Sequence, residues 1–279
     1  MAPLPLAAAG IFHEDEGQLF SLTPLGTGLC SGVPGSQHDW ARYSVGPPAW
    51  RAWGRLLESV RSGESAFQRA HGMDVWRFRL ENPDDAALFD AAMNESSEEI
   101  AALVLRAYEF GGFRHVVDVG GGNGVFLARL VAANSQSAGT LVDQAHVIEG
   151  ASHIFQSAGV GDRCRAIAGN FFEALPTGGD AHLLKFILHN WTDDDALAIL
   201  RIIRKSIEPH GRLLIIERTL APPNEGVESK FADLNMLVHP GGKERTLSQY
   251  AGLLEAARFR LNTAIPLLGE IALLEGVIL

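Results

Sequence analysis

The chain has 279 residues, 47% of them apolar, enough to bury the core of one large domain and a small one. A formal net charge of −10 argues against nucleic acid or an anionic membrane as the main partner. Cys30 and Cys164 lack the C-x-x-C spacing of a zinc or redox motif, so reduced thiols in a cytoplasmic protein are expected.

The apolar opening, Met1 to Phe12, has no basic leader and meets His13-Glu14-Asp15-Glu16 too soon to span a bilayer. Leu19 to Thr23 alternates like a strand of a small hairpin or wing, and Gly32 to Pro48, rich in Gly, Pro and Ser, reads as loop. Trp50 to Val60 and Phe67 to His71 carry helical patterning. Asn82-Pro83-Asp84-Asp85 supplies a cap, a first-turn proline and acids that suit a helix N-terminus. The helices after it, through Tyr108, lead into a larger unit.

From His115 onward β and α signals alternate: Val116 to Val119, Gly124 to Ala133, Thr140 to Asp143, Ala145 to Ser157, Cys164 to Ala168, His182 to Leu188, Thr192 to Ile207 and Arg212 to Glu217. This predicts an α/β fold with a doubly wound, mostly parallel sheet. Thr192-Asp193-Asp194-Asp195 and Thr246-Leu247-Ser248-Gln249 start helices as capping boxes. Two closing apolar runs, Phe259 to Ile265 and Ile271 to Leu279, form a final hairpin, which makes the last strand antiparallel.

The sharpest signal is Val116-Val117-Asp118-Val119-Gly120-Gly121-Gly122-Asn123-Gly124, a buried strand running into a glycine turn. Its spacing is G-x-G-x-G, whereas a dinucleotide fingerprint needs G-x-G-x-x-G. Asp118 beside the loop would repel a pyrophosphate but suits a ligand carrying an ammonium and a sulfonium, such as S-adenosyl-L-methionine (SAM). Asp143, at the end of the second strand, can accept from both ribose hydroxyls; by itself it is equally an ordinary solvated acid. Asn170 can bond an adenine edge and Phe171 cover its face, unless that loop merely sends aromatics into the core. Lys185, inside an apolar run, calls for a partner such as a ligand carboxylate, the alternative being a snorkelling edge lysine.

These stretches, VVDVGGGNG (116 to 124), LVDQAHVIEGA (141 to 151), GNFFEALP (169 to 176), LLKFILHNWTDDDA (183 to 196), LLIIERTLAPP (213 to 223) and GGKERT (241 to 246), resemble the SAM-dependent O-methyltransferases of the plant caffeic-acid and bacterial polyketide type. The resemblance covers essentially the whole chain, most densely from Phe89 on. It implies a Rossmann-like doubly wound sheet, with residues 1–95 forming the end of a winged-helix module plus helices for substrate binding and dimerisation, and residues 96–279 the SAM-binding domain. It further implies Asp118, Gly120, Gly122, Asp143, Asn170, Phe171 and Lys185 at SAM, and His189 as general base flanked by Glu217 and Glu244. Met93, Trp191 and Met236 match positions lining the pocket of a small aromatic hydroxylated acceptor.

Three departures stand out. Asn170 and Asn190 replace aspartates of many members; an amide oxygen at 170 still accepts one bond, so weaker cofactor affinity is expected. Around Val238-His239-Pro240 the chain runs one residue short of plant members. Members also open with several dozen more residues, so the expectation is either a shortened start or a homodimer that departs from the family pattern.

A base is useful because the acceptor hydroxyl must lose its proton: a phenol has a pKa of about 10 and an imidazole about 6.5. One carboxylate, Glu217 or Glu244, could hold the second ring nitrogen of His189. Without the resemblance, Glu217 is a strand-end acid, Glu244 a partner for Arg245 or Lys243, and the two methionines and Trp191 core. Asp193 to Asp195 complement a helix dipole, so no metal is expected. The alternatives are a SAM-binding relative that hydroxylates, decarboxylates or cyclises; a winged-helix regulator, disfavoured because Arg42 is the one Lys or Arg of positions 1–45; and a nicotinamide dehydrogenase, disfavoured by the glycine spacing and Asp118.

Overall fold

The computed structural model describes residues 3–279. It opens with helix α1 (Pro3–Ala8) and a two-stranded hairpin, β1 (Phe12–Glu14) and β2 (Phe20–Leu22), in the register Phe12 to Leu22 expected of a small wing. Helix α2 (Pro24–Thr27) follows, its first turn capped by Thr23 Oγ1, which accepts from the Gly26 amide at 3.1 Å.

Residues 38–45, expected as loop, form helix α3 (His38–Val45). Gln37 makes no side-chain cap there; the Glu95 carboxylate accepts from the Asp39 and Trp40 amides at 3.2 and 3.0 Å instead. A cap supplied from so far along the chain leaves no local signal. Trp50 to Val60 is also corrected, into α4 (Pro47–Trp53) and α5 (Leu56–Ser62), parted at Gly54. Next come α6 (Ala66–His71), α7 (Val75–Glu81) and a single 25-residue helix, α8 (Pro83–Ala107). Its proline and acids sit in the first turn as read, but Asn82 makes no cap: its Nδ2 donates back to the Phe78 carbonyl at 2.8 Å. The division expected after residue 95 falls inside α8, which packs on α3 and α7 at one end and on the next helix of the sheet unit at the other.

Seven strands follow: β3 (His115–Val119), β4 (Ala138–Asp143), β5 (Cys164–Ala168), β6 (Gly179–Lys185), β7 (Ile207–Arg218), β8 (Phe259–Leu268) and β9 (Ile271–Ile278). Their order in the sheet is β5-β4-β3-β6-β7-β9-β8, and the pairs from β5 to β7 are parallel. The last strand, β9, runs antiparallel between β7 and β8, closing the expected hairpin. Helices α9 (Val125–Ala133), α10 (Ala151–Ser157), α11 (Asp193–Ser206), α12 (Val227–Val238) and α13 (Leu247–Ala256) make the connections. The helix read from Ala145 is thus shorter, starting at Ala151. Thr192 Oγ1 caps α11, and Thr246 with Gln249 makes the full reciprocal box at α13.

Alternation along β3 explains why the sheet carries helices on both faces. Val116 joins a cluster with Phe126, Leu127 and Leu141, while Val117 and Val119 join Ile199, Leu200, Ile203 and Tyr250. The chain works outward from β3 to β5, then returns to β6 on the other side. That reversal opens a crevice past the carboxyl ends of β3 and β6. No described helix is long and apolar enough to cross a membrane.

Candidate functional site

The glycine turn after β3 needs its glycines for different reasons. Gly120 (φ 71°) lies against the next strand's end, where a Cβ would sit 2.6 Å from Ile187 Cδ1. Gly122 (φ 65°) faces open space, with nothing within 4 Å of where a Cβ would point, and its amide donates to Asp143 Oδ2 at 2.9 Å. Asp143 Oδ1 takes the Gln144 amide at 2.7 Å. Burial raises the Asp143 pKa, and the two amides counter it.

Asp118 sits under the turn, not in the open crevice. It is 1% exposed, neither oxygen has a hydrogen-bond partner, and a Cβ at Gly121 would lie 2.3 Å from Oδ2. Burial pushes this carboxyl up to about 7, with the Lys185 charge pulling it down. Lys185, the last residue of β6, therefore has an acid of its own chain as electrostatic partner, and its Nζ lies 5.8 and 5.1 Å from the Phe126 and Phe186 ring centres. Asn170 closes a local turn: Oδ1 accepts from the Phe172 amide at 3.0 Å and Nδ2 donates to Glu173 at 2.9 Å. Phe171 comes close to the glycine turn, within 3.4 Å of the Cβ position of Gly120, and packs against Phe172 and Trp191.

The apolar run read as strand through Leu188 ends at Lys185. Phe186 takes a left-handed conformation (φ 57°), which a residue with a bulky side chain adopts at a cost, and Leu188–Asn190 form a 3-10 turn. The break lifts His189 out of the sheet. Asn190 Nδ2 donates to the Phe186 carbonyl at 3.0 Å, a bond that an ionised aspartate could not give.

Both acids implied to flank His189 are beside it, and both face the same ring nitrogen, where one was expected to hold it. Nδ1 lies 3.1 Å from Glu244 Oε1 and 3.4 Å from Glu217 Oε2, while the His189 amide donates to Glu217 Oε1 at 3.3 Å. The side chains are 13%, 2% and 0% exposed for His189, Glu244 and Glu217. A nitrogen facing carboxylates carries the proton, so the neutral ring presents an unprotonated Nε2. Burial pushes Glu217 up to about 7, since one imidazole cannot balance two buried carboxylates. These three side chains also offer ligand atoms within 4.8 Å of one another, a donor set that a divalent ion could use.

Trp191 stacks on Trp76 of α7 (centroids 6.1 Å apart, planes at 18°), which brings the N-terminal helices to the His189 turn. Met93 on α8 and Met236 on α12 are half-buried, and the Met236 carbonyl accepts from the Gly241 and Gly242 amides. Trp76, Asp233, which accepts from the Glu244 amide at 2.9 Å, and the fully buried Arg245 were not singled out from sequence. Trp76 and Arg245 act over long sequence distances and Asp233 across the loop after α12; only Arg245, inside GGKERT, carried any local flag. Two cavities of about 420 and 480 Å³ lie elsewhere, one beside Tyr108 and His210, the other beside Ser152 and Arg165.

Residues 53–260 match the model of the O-methyltransferase domain family. The chain is 35% identical to phenazine O-methyltransferase of Lysobacter antibioticus over 97% of its own length and 79% of that protein. It is 37% identical to the mitomycin biosynthesis 6-O-methyltransferase of Streptomyces lavendulae, over 94% and 75% of the two chains. The crystal structure of an O-methyltransferase from neocarzinostatin biosynthesis, in complex with S-adenosyl-L-homocysteine and 1,4-dihydroxy-2-naphthoic acid, superposes with a TM-score of 0.84 at 30% identity, covering 99% of this chain and 83% of that one. Aclacinomycin 10-hydroxylase of Streptomyces purpurascens is 36% identical over 92% of this chain and 70% of that protein.

Proposed function

We propose, on the premise that this chain belongs to the O-methyltransferase family and uses SAM, that it methylates a phenolic or similarly acidic hydroxyl of a small aromatic metabolite with His189 as general base. The observation that carries the reading is the pair of buried acids on Nδ1, which fixes the tautomer and leaves Nε2 to receive the hydroxyl proton. A proton arriving at Nε2 makes an imidazolium whose charge Glu217 and Glu244 offset.

When bound, SAM supplies the electrophilic methyl group. The residues present fit it: backbone open to solvent at Gly122, and Asp143 at the end of β4 with lone pairs beyond its two amide bonds for ribose hydroxyls. Gly120 and Phe171 give the same site a flat apolar wall, and Asn170 has one amide oxygen for an adenine edge. We assign Asp118 and Lys185 to the floor of this site, where burial disfavours both charges and each partly offsets that cost for the other. Met93, Trp191 and Met236 are the side chains we assign to the acceptor: Trp191 two residues past His189, Met236 at the end of the helix that leads to the Gly241–Gly242 turn, and Met93 half-buried on α8. We place residues 1–95 in substrate binding and pairing of two copies, because Leu19, Leu22 and Leu25 of the wing and α2 are exposed. The cytoplasm is the compartment we assign, on the free thiols of Cys30 and Cys164.

The hydroxylase relative supports a second reading, a reaction at the same site without methyl transfer. One experiment separates the two. The protein is incubated with SAM and a panel of hydroxylated phenazines, naphthoates and simple phenols, and products are weighed by mass spectrometry. Methylation gives S-adenosylhomocysteine and an acceptor heavier by one methyl; an acceptor gaining oxygen or losing carbon dioxide supports the second reading. On the acceptor so found, His189→Ala lowers kcat by roughly 10² to 10⁴ and spares SAM affinity. A chelator leaves the rate unchanged if the His189 cluster does acid–base work, and abolishes it if the cluster holds a metal ion.

A further inference from the structure

We propose that Gly242 to Arg245 form a clasp that fixes the backbone and ring of His189, with Arg245 as its principal positioning residue. This rests on the reading of His189 as general base.

The 3-10 turn bearing His189 has few restraints of its own. It spans three residues, has no side-chain N-cap, and closes through Asn190 and Trp191 amides bonded to the Ile187 and Leu188 carbonyls at 3.1 and 3.3 Å. The clasp supplies what is missing. Arg245 Nη1 donates to the Leu188 carbonyl at 2.7 Å and Nη2 to the Trp191 carbonyl at 2.8 Å, so one guanidinium brackets His189 from both sides. Its Nε donates to Asp193 Oδ1 at 2.9 Å, at the start of α11. The carbonyl of His189 itself accepts from the Lys243 amide at 2.9 Å.

Gly242 permits that approach. A Cβ there would lie 2.0 Å from the His189 oxygen and 2.6 Å from the Asn190 carbonyl carbon, both backbone atoms that cannot swing away. Between them, Glu244 reaches the ring at Nδ1. Of these four consecutive residues Lys243 and Glu244 hold the backbone and the ring of His189, Arg245 holds the carbonyls on either side, and Gly242 lets the segment approach.

Arg245 is 0% exposed, and burying a cation is costly unless its donors are satisfied. Here three nitrogens have acceptors, two of them neutral carbonyls reached through a planar fork. Lysine keeps the charge but, as a single point, cannot span both carbonyls.

The test compares Arg245→Lys, Gly242→Ala, His189→Ala and the double variant His189→Ala with Arg245→Lys, in the full chain, on the acceptor identified above. We expect Arg245→Lys to lower kcat about 10²-fold, the cost of misplacing a reacting group by about an ångström. SAM affinity by calorimetry stays at the wild-type value, and the double variant is no slower than His189→Ala alone. Arg245→Lys at the wild-type kcat overturns the clasp, as does a loss that multiplies fully with that of His189→Ala, or one that falls in step with SAM affinity. Should Arg245→Lys fail to fold, Gly242→Ala is read by the same criteria. His189→Ala at full rate brings down the general-base reading and the clasp with it; a slow His189→Ala beside a fast Arg245→Lys brings down the clasp alone.

Discussion

His189 is set between opposing influences. Burial acts to lower its pKa, and Glu217 and Glu244 outweigh burial, so the ring titrates above the ordinary histidine value of about 6.5. A base must be neutral to work, so kcat/KM falls as the pH drops through that raised value. Removing one acid weakens the hold on the imidazolium: Glu244→Gln moves the acid limb of the pH profile to lower pH, and a limb that stays put would show that Glu244 does not act on the ring. Asp143 is argued at the same scale. Two backbone amides already orient its carboxylate, so Asp143→Ala weakens SAM binding by about 1 to 3 kcal/mol if the remaining lone pairs hold the ribose, measurable by calorimetry. Both residues were legible in the sequence because each lies inside a recognisable motif, Asp143 at the end of β4 and His189 in the turn just past β6. Arg245 was not, because its worth lies in the Leu188 and Trp191 carbonyls that only the fold brings to it.

Reciprocal local signals were read well, and elements completed from afar were not. The capping box at Thr246 and Gln249 is four residues of self-contained chemistry, and it is present as read. Helix α3 depends on Glu95 of α8 for its first amides, so a stretch punctuated by Gly, Pro and Ser looked like loop. Glu95→Ala accordingly costs about 0.5 to 2 kcal/mol, the usual worth of an N-cap, and hydrogen exchange quickens in α3 before any other element. An exchange pattern unchanged in α3 would show that its packing on α8 suffices. Strand β6 shows the opposite error. Its apolar run continues past Lys185, but the left-handed turn at Phe186 ends the strand early, and hydropathy carries no sign of that angle.

Across the whole molecule, buried titratable groups pull stability in opposite directions with pH. His182 of β6, bonded to Ser206 at the end of α11, and His239 are both lowered to about 4 by burial. The unfolded chain takes up these protons below about 6.5 and the folded one only near 4, so their contribution, at most about 3 kcal/mol each, is lost as the pH falls through that window. Asp118 and Glu217, held near 7, act the other way: the folded state gains protons between about 7 and 4 that the unfolded state does not, and is stabilised as the pH falls. The two sets offset each other in the wild type. Asp118→Asn removes one of the acids, so its Tm drops more steeply than the wild type's between pH 7 and 5; parallel curves would refute the shifted carboxyl.

By itself the sequence determined the class of fold, the crossing order of β and α elements from His115, the glycine turn, and the motifs carrying His189, Glu217 and Glu244. Those signals are periodicity, turn chemistry and short spacing, which neighbours along the chain are enough to set. Only the tertiary structure decided that both acids face one ring nitrogen, that Asp118 lies beneath the turn with Lys185, and that Arg245 grips the turn around His189. Each of those depends on strands and loops dozens of residues apart meeting at the sheet's carboxyl edge, where burial and distance, not residue type, set the charge and reach of a side chain.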